Sequence, residues 1–275
     1  MAGIVVAGTT GESPTLSTEE HTGIVREAVR ITGERISVIA GTGSNCTDEA
    51  IELTQAAERD GADGSLQVSP YYNKPSQEGL FQHFRKIADA TELPIMLYDI
   101  PSRCAVAIMD ETVARLQKAC PNIVALKDAS GRPERTETLH SWLGKDFRVF
   151  SGDDNLTVQF IAHGAVGVVS VLSNLLLSLM QSLVRAARRE VKSPESVQLF
   201  LNRNSDWREV SDFIPLLFGA HGNPSGIKCA MERVQLDSGV LRLPLVSAPD
   251  PARTEIRRWL WPLTGFKHVH GVKRS

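Results

Sequence analysis

Seven short runs of apolar residues recur along the first two thirds of the chain and predict buried β-strands. The runs are residues 4–8, 36–41, 64–70, 95–100, 123–128, 148–153 and 167–171. In the fifth run, four apolar residues follow one another without alternation, which is typical of a strand that is covered on both faces. Successive runs begin 19 to 32 residues apart, which leaves room for a helix between each pair.

Segments with helical spacing and helix start signals lie between these runs. Ser17 with Glu20 three residues later forms a capping box, and Thr47, Ser76 and Asp110 are suitable N-caps for the helices that follow them. A strand followed by a helix, repeated along the chain, predicts parallel strands joined by crossover helices. Seven consecutive units favour an α/β fold of the TIM (β/α)8-barrel type, and a doubly wound open sheet is the alternative.

The pattern changes after Val171, where the apolar spacing predicts helices alone. The predicted helices are residues 173–190, 193–218, 225–236 and 251–260. We therefore expect a barrel over residues 1–190, a C-terminal helical domain over residues 191–265 and a flexible basic tail over residues 266–275. His268 and His270 in the tail are metal-ligand types, but a disordered end is the favoured interpretation.

The strand count falls one short of the eight that this type of barrel contains. The first run follows Met1 directly, so we expect that one strand and one helix are missing ahead of Met1. Three explanations stay open: a gene start placed too late, a deliberate fragment, or a barrel that folds with a gap. In the last case the first and seventh strands would keep unpaired edges.

Composition and charge narrow the classes of function. The net charge of −2 gives no electrostatic argument for a nucleic-acid or membrane partner. The four cysteines are widely spaced without a C-x-x-C pair, which indicates reduced thiols rather than a zinc or redox site. No apolar run reaches transmembrane length and no signal peptide is evident, so we expect a cytoplasmic protein.

Polar side chains collect where the predicted strands end, which is the edge of a parallel α/β fold that carries reactive groups. The first run is followed by Thr9 and Thr10, the third by Tyr71 and Tyr72, the fourth ends near Tyr98 and Arg103, the fifth near Lys127, and the sixth near Gly152, Asp153 and Asp154. Partial burial at a strand end disfavours the charged form of a lysine and lowers its pKa. Such an environment favours a nucleophilic amine at Lys127.

Together these side chains predict covalent chemistry on a 2-oxo acid. The glycine-flanked turn with Thr9 and Thr10 is suited to a carboxylate, and Arg103 offers a planar fork for a second carboxylate. Tyr72, after the third run, and Tyr98, in the fourth, offer phenols for a proton relay. A Schiff base of Lys127 with a 2-oxo acid makes the neighbouring carbon acidic, so carbon–carbon bonds form without a metal or cofactor.

Each of these parts also has a plain alternative. Lys127 alone is most simply a lysine that extends to solvent, Arg103 a surface residue, and the threonine turn an ordinary connection. The two tyrosines after the third run are by default a half-buried aromatic pair. Asp153 and Asp154 resemble a metal-binding pair, but an N-cap for the next helix is the favoured interpretation, so we predict no metal site.

Four motifs closely resemble the dihydrodipicolinate synthase family, which belongs to the pyruvate-dependent class I aldolase superfamily with N-acetylneuraminate lyase. The motifs are GTTGES at residues 8–13, PYYNKP at 70–75, LYDIPSR at 97–103 and LKDAS at 126–130. The resemblance runs from about Met1 to Leu260 and weakens after Val171. Asp99 stands where the family often has asparagine, a change that we expect to matter little.

The resemblance implies a (β/α)8 barrel with a C-terminal helical domain and a defined reaction. That reaction is the condensation of pyruvate with aspartate 4-semialdehyde, the entry step to diaminopimelate and lysine. Lys127 would form the Schiff base without any cofactor, and Tyr98 would be the general acid/base in a relay with Thr9 and Tyr72. The family residue matching Tyr72 reaches the neighbouring subunit's site, so a homodimer or homotetramer is implied.

The resemblance also implies a set of binding residues. Thr9 and Thr10 would bind the carboxylate of pyruvate, and Arg103 would bind the carboxylate of the semialdehyde. Gly152 and Val169 would line the pocket through backbone groups.

A regulatory site is implied in part. The residues at positions matching the family's lysine feedback site are Ser13, His21, Asn45, Glu49 and Tyr71. Pro14 and Thr18 depart from the pattern of strongly inhibited members, so the resemblance to a feedback site is incomplete.

Two alternatives to this function stay open. One is another pyruvate-dependent aldolase or dehydratase that acts on a sugar acid or a different aldehyde. The double threonine, Tyr72, and Arg103 five residues after Tyr98 favour the synthase over it. The other alternative is an inactive protein that only binds, which the missing first unit motivates.

Overall fold

A sheet of parallel strands forms the centre of the computed structural model, which describes residues 1–204, 207–208, 211–219 and 222–263. The strands are β1 (Gly3–Val6), β2 (Ser37–Gly41), β3 (Gly64–Val68), β4 (Ile95–Asp99), β5 (Ile123–Asp128), β6 (Arg148–Ser151) and β7 (Gly167–Val168). They lie in the sheet in chain order, each parallel to the next. The seven predicted strands are therefore confirmed; β5 has the bounds of its apolar run, and the other six are one to three residues shorter than theirs.

Helices connect the strands, and the order of the strands decides on which side the helices lie. The helices of this part are α1 (Thr18–Thr32), α2 (Thr47–Arg59), α3 (Gln77–Ala88), α4 (Pro101–Cys104), α5 (Asp110–Ala119), α6 (Arg135–Leu143) and α7 (Thr157–Ala162). Because crossovers between parallel strands are right-handed, a sequential strand order places the crossover helices on one face. The sheet is thus consistent with the predicted TIM-like barrel rather than with a doubly wound sheet. The unit expected ahead of Met1 stays a prediction.

The two faces of the sheet carry different packing, because successive strand residues point to opposite sides. On the outer face, Leu97 and Leu126 pack with helix residues such as Phe84 in one buried cluster. On the inner face, Tyr98 packs with Leu66 and other strand residues in a separate cluster. The site residues of β4 and β5 are therefore sorted by strand position alone into an inner and an outer set.

Two predicted helix starts are confirmed in detail. The Ser17 side chain accepts the N–H of Glu20, and the Glu20 side chain accepts the N–H of Ser17, which completes the capping box of α1. Ser76 caps α3 by accepting the N–H of Gly79 at 3.2 Å.

Two other predicted N-caps are wrong, because their side chains have different partners. Thr47 and Asp110 lie inside the first turns of α2 and α5, and neither helix start has a side-chain cap. The Thr47 hydroxyl lies 2.9 Å from Nδ1 of His83. The Asp110 carboxylate accepts a hydrogen bond from Nε of Arg135.

The chain divides into two compact units, residues 1–169 and residues 170–275. The described elements of the second unit are helices: α8 (Ser173–Glu190), α9 (Val197–Arg203), α10 (Ile214–Phe218), α11 (Ser225–Arg233) and α12 (Asp250–Leu263). The predicted domain boundary at residue 190 falls later than this division and stays a prediction. The predicted tail with His268 and His270 lies outside the described residues. Among the described helices, none combines the length and apolar character that crossing a bilayer requires.

The predicted bounds of the helix over residues 173–190 are confirmed, although Leu176 kinks it with φ of −122° and ψ of 52°. The single helix predicted over residues 193–218 is wrong. Asn204 ends α9 in an extended conformation. Its Oδ1 accepts the N–H of Trp207 at 2.9 Å, which is the contact that an N-cap makes. Asn204 therefore ends α9 inside a segment whose apolar spacing looks continuous.

Candidate active site

The pairing of β4 with β5 brings Lys127 and Tyr98 together. The register places Tyr98 directly opposite Lys127. The Lys127 Nζ lies 3.8 Å from the centre of the Tyr98 ring, over its face. The exposed fraction is 9% for Lys127 and 6% for Tyr98. An amine and a phenol are thus adjacent on the inner face and nearly shielded from water.

The surroundings of Lys127 favour its neutral form. Burial lowers the pKa of Lys127 to about 8, Arg103 acts in the same direction, and Asp153 and Asp154 oppose the shift. With a pKa near 8, roughly one amine in ten is neutral at pH 7, against about three in ten thousand at the ordinary value of 10.5. The neutral form is the nucleophilic form of a lysine amine, so burial increases the fraction of Lys127 in that form by roughly three hundred-fold at pH 7.

Burial shifts the pKa of Tyr98 upward, in the opposite direction from that of Lys127. Burial raises the pKa of Tyr98 well above its usual range, and Asp153 and Cys104 add to this, while Arg103 and a hydrogen bond with the Thr9 side chain oppose it. The phenol is therefore protonated at neutral pH. It can donate a proton or hydrogen bond to an atom beside the amine.

The turn after β1 carries the two threonines. A short 3-10 turn, Thr9–Gly11, follows β1, and both Thr9 and Thr10 are half-buried. Glu12 then adopts a left-handed conformation with φ of 58°, and its N–H donates to the Thr9 carbonyl at 3.1 Å. The hydrogen bond between the side chains of Thr9 and Tyr98 connects this turn to the phenol.

Arg103 and Tyr72 occupy contrasting places. Arg103 lies exposed on the short helix α4, and its charge acts on both Lys127 and Tyr98. The Tyr72 side chain is 90% exposed, on a backbone with φ of 72°, so it points into solvent rather than packing on Tyr98. The default interpretation of a half-buried tyrosine pair is therefore wrong for Tyr72, whereas Tyr71 is half-buried against the inner cluster.

The backbone N–H groups of Gly152 and Val169, after β6 and β7, already donate hydrogen bonds within the sheet. The Gly152 N–H donates to the Asp128 carbonyl at 2.6 Å, and the Val169 N–H donates to the Ser151 carbonyl at 2.9 Å. Only their carbonyl oxygens can serve a ligand. A Cβ atom at Gly152 would lie 2.8 Å from the Cβ of Ala129, so the close approach of β5 and β6 requires glycine here.

The interpretation of Asp153 and Asp154 as a helix N-cap is wrong. The short 3-10 turn that begins at Asp154 has no side-chain cap. Burial raises the pKa of Asp153, Lys127 opposes that rise, and both aspartates in turn act on Lys127. Their charges belong to the environment of the amine. Within the described residues, no group of three or more His, Cys, Asp or Glu side chains is placed to bind a metal.

Part of the candidate feedback set is brought together. Asn45 Nδ2 donates to the Tyr71 carbonyl at 3.2 Å. Glu49, on the first turn of α2, accepts a hydrogen bond from the Ser44 hydroxyl. The loop before α2 is thereby attached to the loop after β3.

The other two members of the candidate feedback set lie nearer the N-terminus. His21 is buried on α1, with Nε2 2.9 Å from the Gly41 carbonyl oxygen. Ser13 is half-buried at the start of the 3-10 turn Ser13–Thr15. Within the described part of the chain, no hydrogen bond joins His21 or Ser13 to Asn45 or Tyr71.

A buried ion cluster lies on the outer face, directly behind the Tyr98–Lys127 pair. We call it the Arg135 cluster, and its members are Arg135, Asp99, Asp110 and Asp128. Arg135 Nη1 lies 2.6 Å from Asp99 Oδ2 and 3.3 Å from Asp128 Oδ2. Its other nitrogens contact Asp110 and the Ile108 carbonyl. Arg135 is 2% exposed, and the two strand aspartates are fully buried.

The sequence analysis did not predict this cluster, and Asp99, where the difference from asparagine was expected to matter little, is one of its members. An asparagine at this position would lack the charge that pairs with Arg135. One signal was present: an aspartate directly follows each of Tyr98 and Lys127. An acidic residue at a fully buried strand position needs a partner, and Arg135 is that partner.

The fold and the site together define a class of protein: α/β proteins with a TIM-like parallel sheet that carry a buried lysine at the end of a strand. The chain belongs to the dihydrodipicolinate synthetase family, whose model matches residues 1–261.

Relatives of known sequence and structure agree with this membership. The chain is 46% identical over 265 residues to 4-hydroxy-tetrahydrodipicolinate synthase of Synechococcus elongatus, which covers 94% of this chain and 82% of that protein. The structure of the enzyme of that name from Methylacidiphilum fumariolicum SolV matches with a TM-score of 0.87 and 46% identity, covering 94% of this chain and 84% of that one.

A structure of the chloride-inhibited dihydrodipicolinate synthase of Acinetobacter baumannii, complexed with pyruvate, matches with a TM-score of 0.85. It is 41% identical, and the match covers 94% of this chain and 86% of that one. These relatives confirm the predicted family and enzyme class. They favour the synthase over both the other aldolases and a protein that only binds.

Proposed function

We propose that this protein is a 4-hydroxy-tetrahydrodipicolinate synthase that condenses pyruvate with L-aspartate 4-semialdehyde through a Schiff base on Lys127. The observation that carries the proposal is the buried Lys127 amine, whose pKa is lowered to about 8, against the face of the Tyr98 ring. The names of the relatives and the pyruvate complex of the Acinetobacter baumannii enzyme support the choice of substrates.

The proposed reaction needs no group beyond the side chains of the chain and its substrates. The neutral Lys127 amine attacks the 2-oxo carbon of pyruvate, and loss of water leaves an iminium ion. The positive nitrogen acidifies the methyl group, which loses a proton to give an enamine. The enamine carbon attacks the aldehyde. The amine of the semialdehyde then attacks the iminium carbon, closes the ring and releases Lys127.

Tyr98 is the proposed general acid and base. Because burial raises its pKa, the phenol begins protonated and can donate to the oxygen that leaves as water. The Thr9 hydroxyl, hydrogen-bonded to Tyr98, offers the route by which that proton is replaced. Tyr72 is the proposed third member of this relay, and it must act in another copy of the chain because its own side chain points into solvent.

The proposed binding groups surround the amine. Thr9 and Thr10 would bind the carboxylate of pyruvate through the turn after β1. Arg103 would bind the carboxylate of the semialdehyde, since its fork is exposed and its charge already acts at the Lys127 site. Gly152 and Val169 would contribute carbonyl oxygens, because their N–H groups are engaged in the sheet.

We also propose a homodimer or homotetramer, in which Tyr72 of one copy enters the site of the next. A left-handed backbone at a bulky, 90% exposed tyrosine is strained and places an apolar ring in water, which a partner subunit would cover. The four cysteines are all unpaired by disulfides, which supports a cytoplasmic location.

A lysine feedback site is a further proposal for Ser13, His21, Asn45, Glu49 and Tyr71. The hydrogen bond from Asn45 to the Tyr71 carbonyl supports it in part. Tyr71 also packs against the inner cluster that contains Tyr98, which gives a physical route from such a site to the reacting groups.

Product formation with a panel of aldehydes and sugar acids tests the proposed function. With pyruvate as partner, aspartate 4-semialdehyde is expected to be turned over fastest. The variant Arg103→Ala is expected to raise KM for the semialdehyde by roughly tenfold or more, the loss of a charge-assisted contact, while KM for pyruvate changes little. Arg26→Ala, which removes an exposed arginine on α1, is the matched control. Faster turnover of a sugar acid, or no turnover at all, contradicts the proposal.

A further inference from the structure

The strand register that joins the proposed catalytic pair also joins two carboxylates behind it. Tyr98 lies opposite Lys127 on the inner face, and in the next position Asp99 lies opposite Asp128 on the outer face. Both aspartates are fully buried. The ends of β4 and β5 therefore carry a reactive pair on one side and two like charges on the other.

Arg135 joins these two carboxylates with a single nitrogen. Its Nη1 lies 2.6 Å from Asp99 and 3.3 Å from Asp128. The second oxygen of each aspartate is also fixed: Asp99 accepts the Ile108 N–H at 3.1 Å, and Asp128 accepts the Ser130 N–H at 2.8 Å. Neither carboxylate can rotate away without breaking its hydrogen bond to a backbone N–H, which is buried at Asp99 and partly buried at Asp128.

The other two nitrogens of Arg135 contact the start of α5 and the residues just before it. Nε contacts Asp110 at the start of α5, and Nη2 contacts the Ile108 carbonyl just before it. Asp110 also lies 3.7 Å from the exposed Arg132. The contact with Asp110 holds Arg135 but does not itself touch either strand.

A buried ion cluster is a poor means of adding stability, because removing charges from water offsets most of the attraction. Well-packed apolar side chains of similar volume are often as good or better. What such a cluster can supply is a unique geometry between the elements that it joins. Here the joined elements are the two strand ends that carry Lys127 and Tyr98.

We propose that Arg135 is a positioning residue that bridges Asp99 and Asp128, and thereby keeps the Lys127 amine packed on the Tyr98 ring and out of water. The consequence for turnover rests on the proposed function, whereas the consequence for the position of the amine does not. Loss of the bridge lets the strand ends separate and water reach Lys127.

The groups that face Lys127 are known from each neighbouring element, so the test can leave all of them unchanged. They are Tyr98 on β4, Arg103 on α4, and Asp153 and Asp154 after β6. A change in Lys127 titration after a substitution in the Arg135 cluster therefore reports altered solvation or an altered local charge.

Two substitutions separate solvation from charge. Asp128→Asn leaves a single acceptor oxygen for both Arg135 and the Ser130 N–H, so it weakens the contact with β5. Asp110→Asn weakens only the contact with α5, and each substitution deletes one negative charge beside the same guanidinium. Loss of a negative charge alone lowers the pKa of a nearby amine. Exposure of the amine to water raises it. The proposal therefore predicts that the pKa of Lys127 rises in Asp128→Asn, whereas the loss of charge alone in Asp110→Asn leaves it unchanged or lowers it.

The experiment is competitive acetylation of the full chain with acetic anhydride across pH, with the Lys127 peptide quantified by mass spectrometry. The exposed Lys145 is the internal reference for the reagent. Wild type is expected to show a midpoint near 8. Asp128→Asn is expected to raise it by about one pH unit or more, and Asp110→Asn to leave it unchanged or slightly lower.

Turnover and the conservative variant complete the test. Asp128→Asn is expected to reduce kcat by about tenfold to hundredfold through misplacement of the amine, with a smaller change in KM for pyruvate. Arg135→Lys keeps one cationic nitrogen between the two aspartates, so it is expected to retain the wild-type midpoint, whereas Arg135→Gln raises it. Cooperative thermal unfolding verifies that each variant is folded.

Equal midpoints for Asp128→Asn and Asp110→Asn, or a fall in both, overturn the proposal. So does a wild-type midpoint in folded Arg135→Gln. Because loss of the Arg135 charge alone also raises the pKa of Lys127, Asp99→Asn is the substitute if Asp128→Asn does not fold. It deletes a negative charge and weakens the contact with β4, and a midpoint at or below that of wild type overturns the proposal. Failure of the proposed function is recognised separately: wild type then makes no product while the midpoints still differ between the two asparagine variants.

Discussion

Two buried cations, Lys127 and Arg135, lie on opposite faces of the same pair of strand ends, and their surroundings shift their pKa values in opposite directions. Arg135, 2% exposed, contacts three carboxylates. Lys127, 9% exposed, makes no ion pair within the described part of the chain and rests against the ring of Tyr98. Burial lowers the pKa of Arg135, but the surrounding carboxylates raise it above its usual range overall, whereas burial lowers the pKa of Lys127 to about 8.

Burial alone therefore does not make a basic side chain reactive, because Arg135 is buried at least as deeply as Lys127. Burial with hydrogen-bonded carboxylates stabilises the charged form and produces a structural cation. Burial against an aromatic ring, with carboxylates acting only through space, leaves the charged form poorly compensated. The account therefore predicts that the two cations respond to substitution in opposite ways.

The largest expected effect is that of Lys127→Met. Activity is expected to fall to background, because no nucleophile is left. Stability is expected to increase at pH 7, because a pKa lowered from 10.5 to about 8 corresponds to roughly 3 kcal/mol of unfavourable burial of the ammonium. Urea unfolding at pH 7 measures it, with Lys118→Met on the exposed side of α5 as control.

The stability that Lys127→Met gains over wild type is expected to depend on pH. Between pH 8 and 10.5 the unfolded chain binds more protons at Lys127 than the folded chain does, so wild-type stability rises with pH across this window. The difference between wild type and Lys127→Met should therefore shrink as pH approaches 10.5. A variant that is less stable than wild type at pH 7 contradicts the account of Lys127 as an uncompensated buried amine.

Tyr98→Phe is expected to slow turnover by about 10² to 10⁴, the usual contribution of a positioned general acid or base. The ring that packs against Lys127 is retained, so the acetylation midpoint of the amine should stay close to that of wild type. Steady-state kinetics measure the loss. Turnover near the wild-type rate would remove the acid/base role from Tyr98 and leave it only the role of shielding the amine.

Arg135→Met is expected to destabilise the fold by about 3–5 kcal/mol, because buried carboxylates lose their compensating charge. The same type of substitution at Lys127 should stabilise, so the pair of methionine variants tests the contrast directly. Urea unfolding is the measurement. The control is Arg26→Met, which breaks the exposed ion pair with Asp60 and should leave the unfolding midpoint unchanged. Equal effects at Arg135 and Lys127 would refute the distinction.

A smaller effect is expected for His83, a third buried group on the helix side of the sheet. Burial lowers the pKa of His83 to about 4. The unfolded chain takes up a proton near 6.5 and the folded chain only near 4, so stability falls as pH drops through this window. His83→Asn can keep the contact with Thr47 without titrating. Between pH 6.5 and 4, the free energy of unfolding of the variant is therefore expected to fall by roughly 1–3 kcal/mol less than that of wild type. Parallel curves for variant and wild type would contradict this.

Much of the fold could be predicted because its signals are local. Apolar runs marked all seven strands, and the capping box at Ser17 marked the start of α1. Lys127 and Tyr98 could be singled out as site residues because parallel strands end at one edge. Their direct pairing depends on the register of β4 and β5, which the separate runs do not contain.

What could not be predicted depends on contacts between residues far apart in the chain. Arg135 is 36 residues from Asp99, and no local pattern connects them. The same holds for Thr47, whose partner His83 removes it from the role of N-cap. Tyr72 shows a further limit, because a pair of adjacent tyrosines does not reveal that only one of them is buried.

The most direct test of the central claim is reduction of the full chain with borohydride in the presence of labelled pyruvate, followed by mapping of the labelled peptide. The account predicts one stable adduct per chain, on Lys127, and none in Lys127→Met. An adduct on a different lysine, or no adduct under conditions in which wild type forms product, would contradict it.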